Sequence, residues 1–359
     1  MDSKTAKVLT SSEQIDREWL ITILSRSAAN EAGQLSDFYV TASTSANAQI
    51  FRIHLNYCGA TNGTLPSTLI LKICNGGGIF LSDSEVYYYN RDYLDLSNAP
   101  IPRCYDAQYS AMNGAYHILM EDLTDTHFKD SEPSLEYGVA VARSLALLHA
   151  HGWGEQRIKA LDQRLPAQSE VDTFMSHLQQ GLSPLLEATN METSADDRKI
   201  ITQIFQRYAE KMLKRTEDMR GFAVLHGDLN PGNILSPKEG DGKIYFLDRQ
   251  PFHWSLTTWL AVSDLVIMMI PYWSVDRRRQ FENTILEEYH KRLVQLGITD
   301  YSWEQLLYDY RLSIMQGLFI AAEWCIQAES RERMRWLWWQ ELQNAMMAIS
   351  DLRCMELLD

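Results

Sequence analysis

"LHGDLNPGNIL", residues 225–235, sets a polar loop between apolar flanks. Pro231 and Gly232 are what a turn requires. They leave unexplained why Asp228 and Asn233 stand with only four residues between them, bracketed by Val224, Leu225, Ile234 and Leu235. The flanks read as buried strands that hold the loop still, and the Pro-Gly turn lets Asp228 and Asn233 face the same way. A second aspartate, Asp248, ends "KIYFLD", which forms a short hairpin with "NIL". Asp, Asn and Asp in this order supply what transfer of a phosphoryl group from ATP requires. One carboxylate takes the proton of the acceptor hydroxyl, and two oxygen ligands hold the magnesium that bridges the phosphates. An Asx turn closed on its own backbone is the plainer reading, but it does not account for Asp248.

Outward from the loop, the periodicity changes along the chain. Residues 12–26 place Ile15, Trp19, Leu20, Ile23 and Leu24 at helical spacing. "IFRIHLNY" (50–57) alternates Phe51, Ile53, Leu55 and Tyr57 with Arg52, His54 and Asn56, as a half-buried strand does. The turn-rich "CGATNGTLPS" (58–67) joins it to "TLILKI" (68–73), which predicts an antiparallel pair. A tyrosine-rich helix over about 83–96 and a strand at "AYHILM" (115–120) follow, ending at Glu121 and Asp122. Beyond that the chain reads as mainly helical. "SLEYGVAVARSLALLHAHGW" (134–153) puts Leu135, Val139, Ala142, Ala146 and His149 on one stripe, and 170–219 and 276–353 continue as helix. This asymmetry predicts a two-lobed α+β fold. Residues 1–122 would form a small β-rich, nucleotide-binding lobe with a leading helix, and 123–359 a larger helical lobe with the catalytic loop and acceptor site.

"HGDLNPGN" resembles the catalytic loop of the aminoglycoside/choline phosphotransferases, whose fold is protein-kinase-like. "EWLITIL", "IFRIHLNY", "LPSTLILKI", "SEVYYYNRDYL", "ILMEDL" and "EEYHKRL" resemble the ecdysteroid-kinase-like branch of that superfamily, over about residues 15 to 325. The resemblance implies Asp228 as catalytic base and Asn233 and Asp248 as magnesium ligands. It implies that Lys72, in "LILK", contacts the α- and β-phosphates of ATP and that Glu85 pairs with Lys72. Backbone groups of Glu121 and Leu123, in "MEDL", would meet the adenine edge. His226 would brace the loop, and Asp264, in "SDLVIM", would hydrogen-bond it. Two departures are visible. The first turn of the family often carries glycine, whereas "TASTSANAQ" (41–49) has none, so backbone N–H groups between Ser43 and Asn47 would have to cover the phosphates. Arg249-Gln250 follows Asp248 where protein kinases have Phe-Gly, and an aromatic residue is more usual than Arg249 in the small-molecule branch.

Plainer readings compete at several positions. Ser82-x-x-Glu85 is also a capping box, and Lys72 could lie on a solvated strand face. "NGGG" (75–78) lacks the Lys-Ser/Thr of a P-loop and reads as a connection. In "RMRWLWWQ" (333–340), Trp336 and Trp339 read as core or interface ahead of a cage for a quaternary ammonium.

The net charge of −14 argues against a general nucleic-acid binder; a merely solvated acidic surface is its plainer reading, ahead of a cationic small substrate. Five scattered cysteines without a CxxC pair imply free thiols in a reducing compartment. The polar N-terminus shows no signal peptide, and "WLAVSDLVIMMIPYW" (259–273) is too short and interrupted to span a bilayer. The expectation is therefore a cytoplasmic phosphotransferase using ATP and Mg2+ on a hydroxyl of a small molecule, with no nucleic-acid or membrane partner. The acceptor stays open between an antibiotic, an amino-alcohol such as choline, a sterol-like alcohol and another natural product. The rivals are a kinase-fold binder without chemistry and a protein kinase, the latter disfavoured because no Ala-Pro-Glu-like run follows Asp248.

Overall fold

The computed structural model describes residues 7–27, 35–44, 48–58, 65–75, 81–240 and 242–358. They fall into two compact units, residues 1–128 with 235–253 and residues 129–234 with 254–359. Residues 235–253, which the sequence reading leaves with the helical part, thus cluster with the sheet.

The first unit is built on strands β1 (Leu35–Thr44), β2 (Gln49–Tyr57), β3 (Thr68–Asn75), β4 (Cys104–Ser110) and β5 (Ala115–Glu121), hydrogen-bonded in the order β1-β2-β3-β5-β4. All neighbours run antiparallel. β2 and β3 pair with Phe51 opposite Leu71 and Ile53 opposite Leu69, while the turn residues 59–64 between them lie outside the described residues. Strand alternation sends Phe51, Ile53, Leu55, Leu69, Leu71 and Ile73 into one core, which helix α1 (Arg17–Ser27) caps with Leu20, Ile23 and Leu24. Burying each such side chain contributes about 1.5–3 kcal/mol. Lys72 projects from the opposite face of β3.

Three local expectations are corrected. Helix α1 begins at Arg17 rather than near residue 12, because the Asp16 side chain accepts the Trp19 N–H (2.8 Å) as an N-cap does, and Ser12–Gln14 is a separate 3-10 turn. Helix α2 (Ser84–Asn90) is shorter than 83–96, because the N–H groups of Arg91 and Asp92 both converge on the Tyr87 carbonyl and end the ladder. In helix α3 (Leu135–His151), Leu135 and Val139 are only half-buried. The buried flank instead runs through Gly138, Val141, Ala142, Leu145, Ala146 and His149. Gly138 sets this rotation, since a Cβ there would lie 2.3 Å from the Ile285 side chain.

The edge strands β1 and β4 escaped the sequence reading because strands at a sheet margin need no apolar alternation; β1 is mostly exposed. The foreseen hairpin is present as Ile234–Pro237 beside Tyr245–Phe246, in a small sheet with His127–Phe128.

The second unit is mainly helical; among its described residues Phe222–Val224, which leads into the loop, pairs antiparallel with Thr258–Leu260. Among the described residues no helix is long and apolar enough to cross a membrane.

Candidate active site

Within the first unit, Lys72 is 7% exposed and its ammonium lies between Glu85 Oε1 (2.7 Å) and Asp248 Oδ1 (2.9 Å). Burial alone would lower the Lys72 pKa. The two carboxylates outweigh it and hold the ammonium above its ordinary value, so the group stays charged. Glu85 is fully buried, and its second oxygen accepts a hydrogen bond from the Tyr116 hydroxyl. Asp83 is the N-cap residue of α2, and the Glu85 carboxylate is engaged with Lys72 and Tyr116.

Asp248 adopts a left-handed backbone conformation (φ 59°), which is uncommon for a residue other than glycine. Two contacts hold it there. Its N–H donates to the Tyr89 hydroxyl (3.2 Å), and its neighbour Arg249, 1% exposed, donates to Asp92 Oδ2 (2.7 Å). Asp92 also accepts from Arg91 (2.9 Å). Arg249 therefore stands in place of an aromatic residue because a buried carboxylate waits for it. Removing the guanidinium, as in Arg249→Met, takes from that buried carboxylate one of its charged partners. Unfolding in urea should show a loss of about 2–3 kcal/mol. An unchanged midpoint would mean that the pair does not anchor this turn.

In the second unit the loop is built from its backbone outward. Gly227 has φ +80°, a conformation that side chains rarely adopt. This turn aims the His226 and Gly227 N–H groups at the fully buried Asp264, whose oxygens accept one each at 2.8 Å. The His149 ring lies 3.0 Å from Asp264 Oδ2 and 2.7 Å from the Tyr289 hydroxyl. Burial would push the Asp264 pKa up. The His149 bond, with the nearby His226 and the Gly227 N–H, more than offsets it and holds the carboxyl below its usual range.

The turn itself is closed by Asn230, whose Oδ1 accepts the Gly232 N–H (3.0 Å). Asp228 is thus relieved of that duty. Its half-buried carboxylate accepts from Asn230 Nδ2 (3.0 Å) and Asn233 Nδ2 (3.2 Å), and Asn233 also donates to the Asp228 carbonyl (2.8 Å). His226 Nδ1 accepts the Asp228 N–H (3.3 Å), which braces the loop.

The sequence-derived residues are therefore distributed as follows. Lys72, Glu85 and Asp248 come together in one unit, and Asp228, Asn233, His226 and Asp264 in the other. In "MEDL", the Glu121 N–H donates to the Arg103 carbonyl (2.8 Å), and the Leu123 carbonyl accepts from the Thr126 and His127 N–H groups. Residues 45–47 of the glycine-free turn and 76–78 of "NGGG" lie outside the described residues. Sequence reasoning missed Tyr116, Tyr89, Asp92, His149 and Asn230. Only Asn230 carried a readable signal, Asn before Pro-Gly.

Among the described residues, no three His, Cys, Asp or Glu side chains gather into a ready-made metal site. A magnesium ion would need only one or two protein oxygens, because it completes its shell with water and substrate phosphates. Asn233, whose amide nitrogen is spent on Asp228, is oriented to offer such an oxygen.

Known structures give the same fold. The chain is similar to a choline kinase from Cryptosporidium parvum Iowa II, at 14% identity and a TM-score of 0.56, covering 96% of this chain and 98% of that one. A Plasmodium vivax ethanolamine kinase matches at 14% identity and 0.51, over 90% and 83%. A glucosamine kinase in complex with glucosamine, ADP and inorganic phosphate matches at 14% identity and 0.53, over 93% and 82%. No curated protein matches the chain. Sheet and helix organisation are those of the small-molecule kinase-like fold. Residues 84–299, more than half of the chain, match the ecdysteroid kinase-like family, and the chain belongs to it.

Proposed function

We propose that the protein transfers the γ-phosphoryl group of ATP to a hydroxyl group of a small molecule. The observation that carries this reading is the buried Lys72 ammonium gripped by Glu85 and Asp248. In this reading Lys72 binds the α- and β-phosphates, and Glu85, steadied by Tyr116, keeps it in place. Asp228 accepts the proton of the acceptor hydroxyl as its oxygen bonds to phosphorus and the bond to the ADP oxygen breaks. Asn233 and Asp248 are the residues that would hold magnesium, which would supply positive charge against the phosphates.

The adenine edge is met by the Glu121 carbonyl and the Leu123 N–H, because the other backbone group of each is spent inside the protein. Residues 1–122, with Leu123 and Asp248, serve the nucleotide, and the rest of 123–359, which carries the catalytic loop, serves the acceptor. Five free cysteines support a reducing, cytoplasmic setting.

The test is untargeted mass spectrometry of a metabolite extract incubated with the protein, ATP and magnesium. Species that gain one phosphate, and fail to do so with Asp228→Ala, are the expected result. Nucleotide binding without any phosphorylated product would favour the second reading, a kinase-fold binder without chemistry, to which the glycine-free turn at 41–49 points.

A further inference from the structure

The helix Arg335–Asp351 buries Glu341 to 1% exposure, and among the described residues neither of its carboxylate oxygens has a hydrogen-bond partner. An ionised carboxylate in that state costs several kcal/mol, so a fold without a use for it would replace it with an apolar residue. The Tyr272 hydroxyl and the Trp324 indole are its polar neighbours, yet neither closes a hydrogen bond of ordinary geometry. The charged groups that act on it most strongly are Asp228 and Glu323, both acidic. Burial, with these two carboxylates adding to it, pushes the Glu341 carboxyl up to about 7. What is missing from the cluster is a cation.

Its surroundings also supply aromatic faces. Glu323 stands 3.9 Å from the His177 ring nitrogen, and His177 stacks on Trp254 with centroids 4.0 Å apart at 12°. Trp254, Tyr272 and Trp324 are each half-buried. Carboxylates beside partly exposed aromatic rings are how proteins receive an alkylammonium group.

Resting on the phosphotransfer reading, we propose that this cluster is the charge subsite of the acceptor. Glu341, with Glu323, receives a protonated or quaternary amine, the aromatic faces cover the carbon around it, and a hydroxyl of the same molecule is presented to Asp228. The acceptor class is therefore a cationic amino-alcohol rather than a neutral sterol-like alcohol. A neutral apolar skeleton would seal Glu341 from water and offer its oxygens no charge-assisted partner.

Calorimetry on the full chain tests this with choline and 2-aminoethanol, each beside its uncharged carbon isostere, 3,3-dimethylbutan-1-ol and propan-1-ol. The cationic member of each pair should bind about tenfold tighter or more, and Glu341→Gln should bring the ratio to near one while leaving ADP affinity unchanged. The same variant should melt at a higher temperature, because it removes an uncompensated buried charge; a purely structural Glu341 would give a lower one. Equal affinity within the pairs, discrimination that survives Glu341→Gln, or no binding of either cation overturns the subsite. Phosphate transfer from ATP, read in parallel, separates the two claims. A cation that binds through Glu341 but is never phosphorylated sinks the kinase reading and leaves the subsite standing. Phosphorylation of neutral alcohols alone does the reverse.

Discussion

Asp228→Asn is expected to lower kcat by about 10²–10⁴-fold, the range that a positioned general base supplies, while nucleotide affinity stays close to that of the unaltered protein. The split follows from geometry. The Asp228 carboxylate is held by the Asn230 and Asn233 amides within the loop, whereas the group assigned to the nucleotide phosphates is Lys72, held by Glu85. An asparagine at 228 turns one of its own donors towards those amides, so Asp228→Ala is the companion variant that removes the clash of donors. Steady-state kinetics together with direct nucleotide binding decide the point. Turnover at an unaltered rate in both variants would take Asp228 out of the chemistry.

The largest loss of stability is expected from Asp264→Ala, about 3–5 kcal/mol, because it removes a buried charge and deprives the His226 and Gly227 N–H groups and the His149 ring of their acceptor. Asp264→Asn keeps one acceptor oxygen and should cost less. Chemical denaturation measures both, and a change under 1 kcal/mol in the alanine variant would show that the loop is anchored elsewhere. A pH signature accompanies this. The folded-state pKa of Asp264 is depressed, so the stability it confers is present above its unfolded value, about 4, and lost as pH falls through the lower folded value. Stability curves of the unaltered protein and of Asp264→Asn should therefore converge on acidification, with the gap widest near neutrality. A gap independent of pH would assign the effect to shape rather than charge.

The parts of this protein that could be read from its residues are those fixed by local pattern. Alternation gave β2, the turn-rich link after it gave β3, the short run at 115–120 gave β5, and the spacing of Asp228, Asn233 and Asp248 gave the loop and the strand end after it. What escaped depends on partners distant in sequence. Nothing near residue 85 announces that Tyr116 bonds to Glu85, because their meeting requires α2 to lie across β5. Arg249 looked like an anomaly until Asp92 was found buried against it. Glu341 gave no signal at all, because an acidic residue on a helix is ordinarily solvated and only the packing of the helix Arg335–Asp351 shows otherwise.

The return of residues 235–253 to the sheet-bearing unit has a consequence for synthesis on the ribosome. This segment gives Asp248 to Lys72, and its Pro251 and Gln250 carbonyls accept from Ser82 (2.7 Å from the amide) and the Ser84 hydroxyl (2.6 Å). A nascent chain that has emerged only as far as residue 128 carries the start of α2 without those acceptors and the Lys72 ammonium without one of its two anions. Vectorial folding of this unit, which usually proceeds from the first residues to emerge, must therefore wait for more than a hundred further residues to be translated. Fragments ending near residue 128 should accumulate as protease-sensitive, chaperone-bound species.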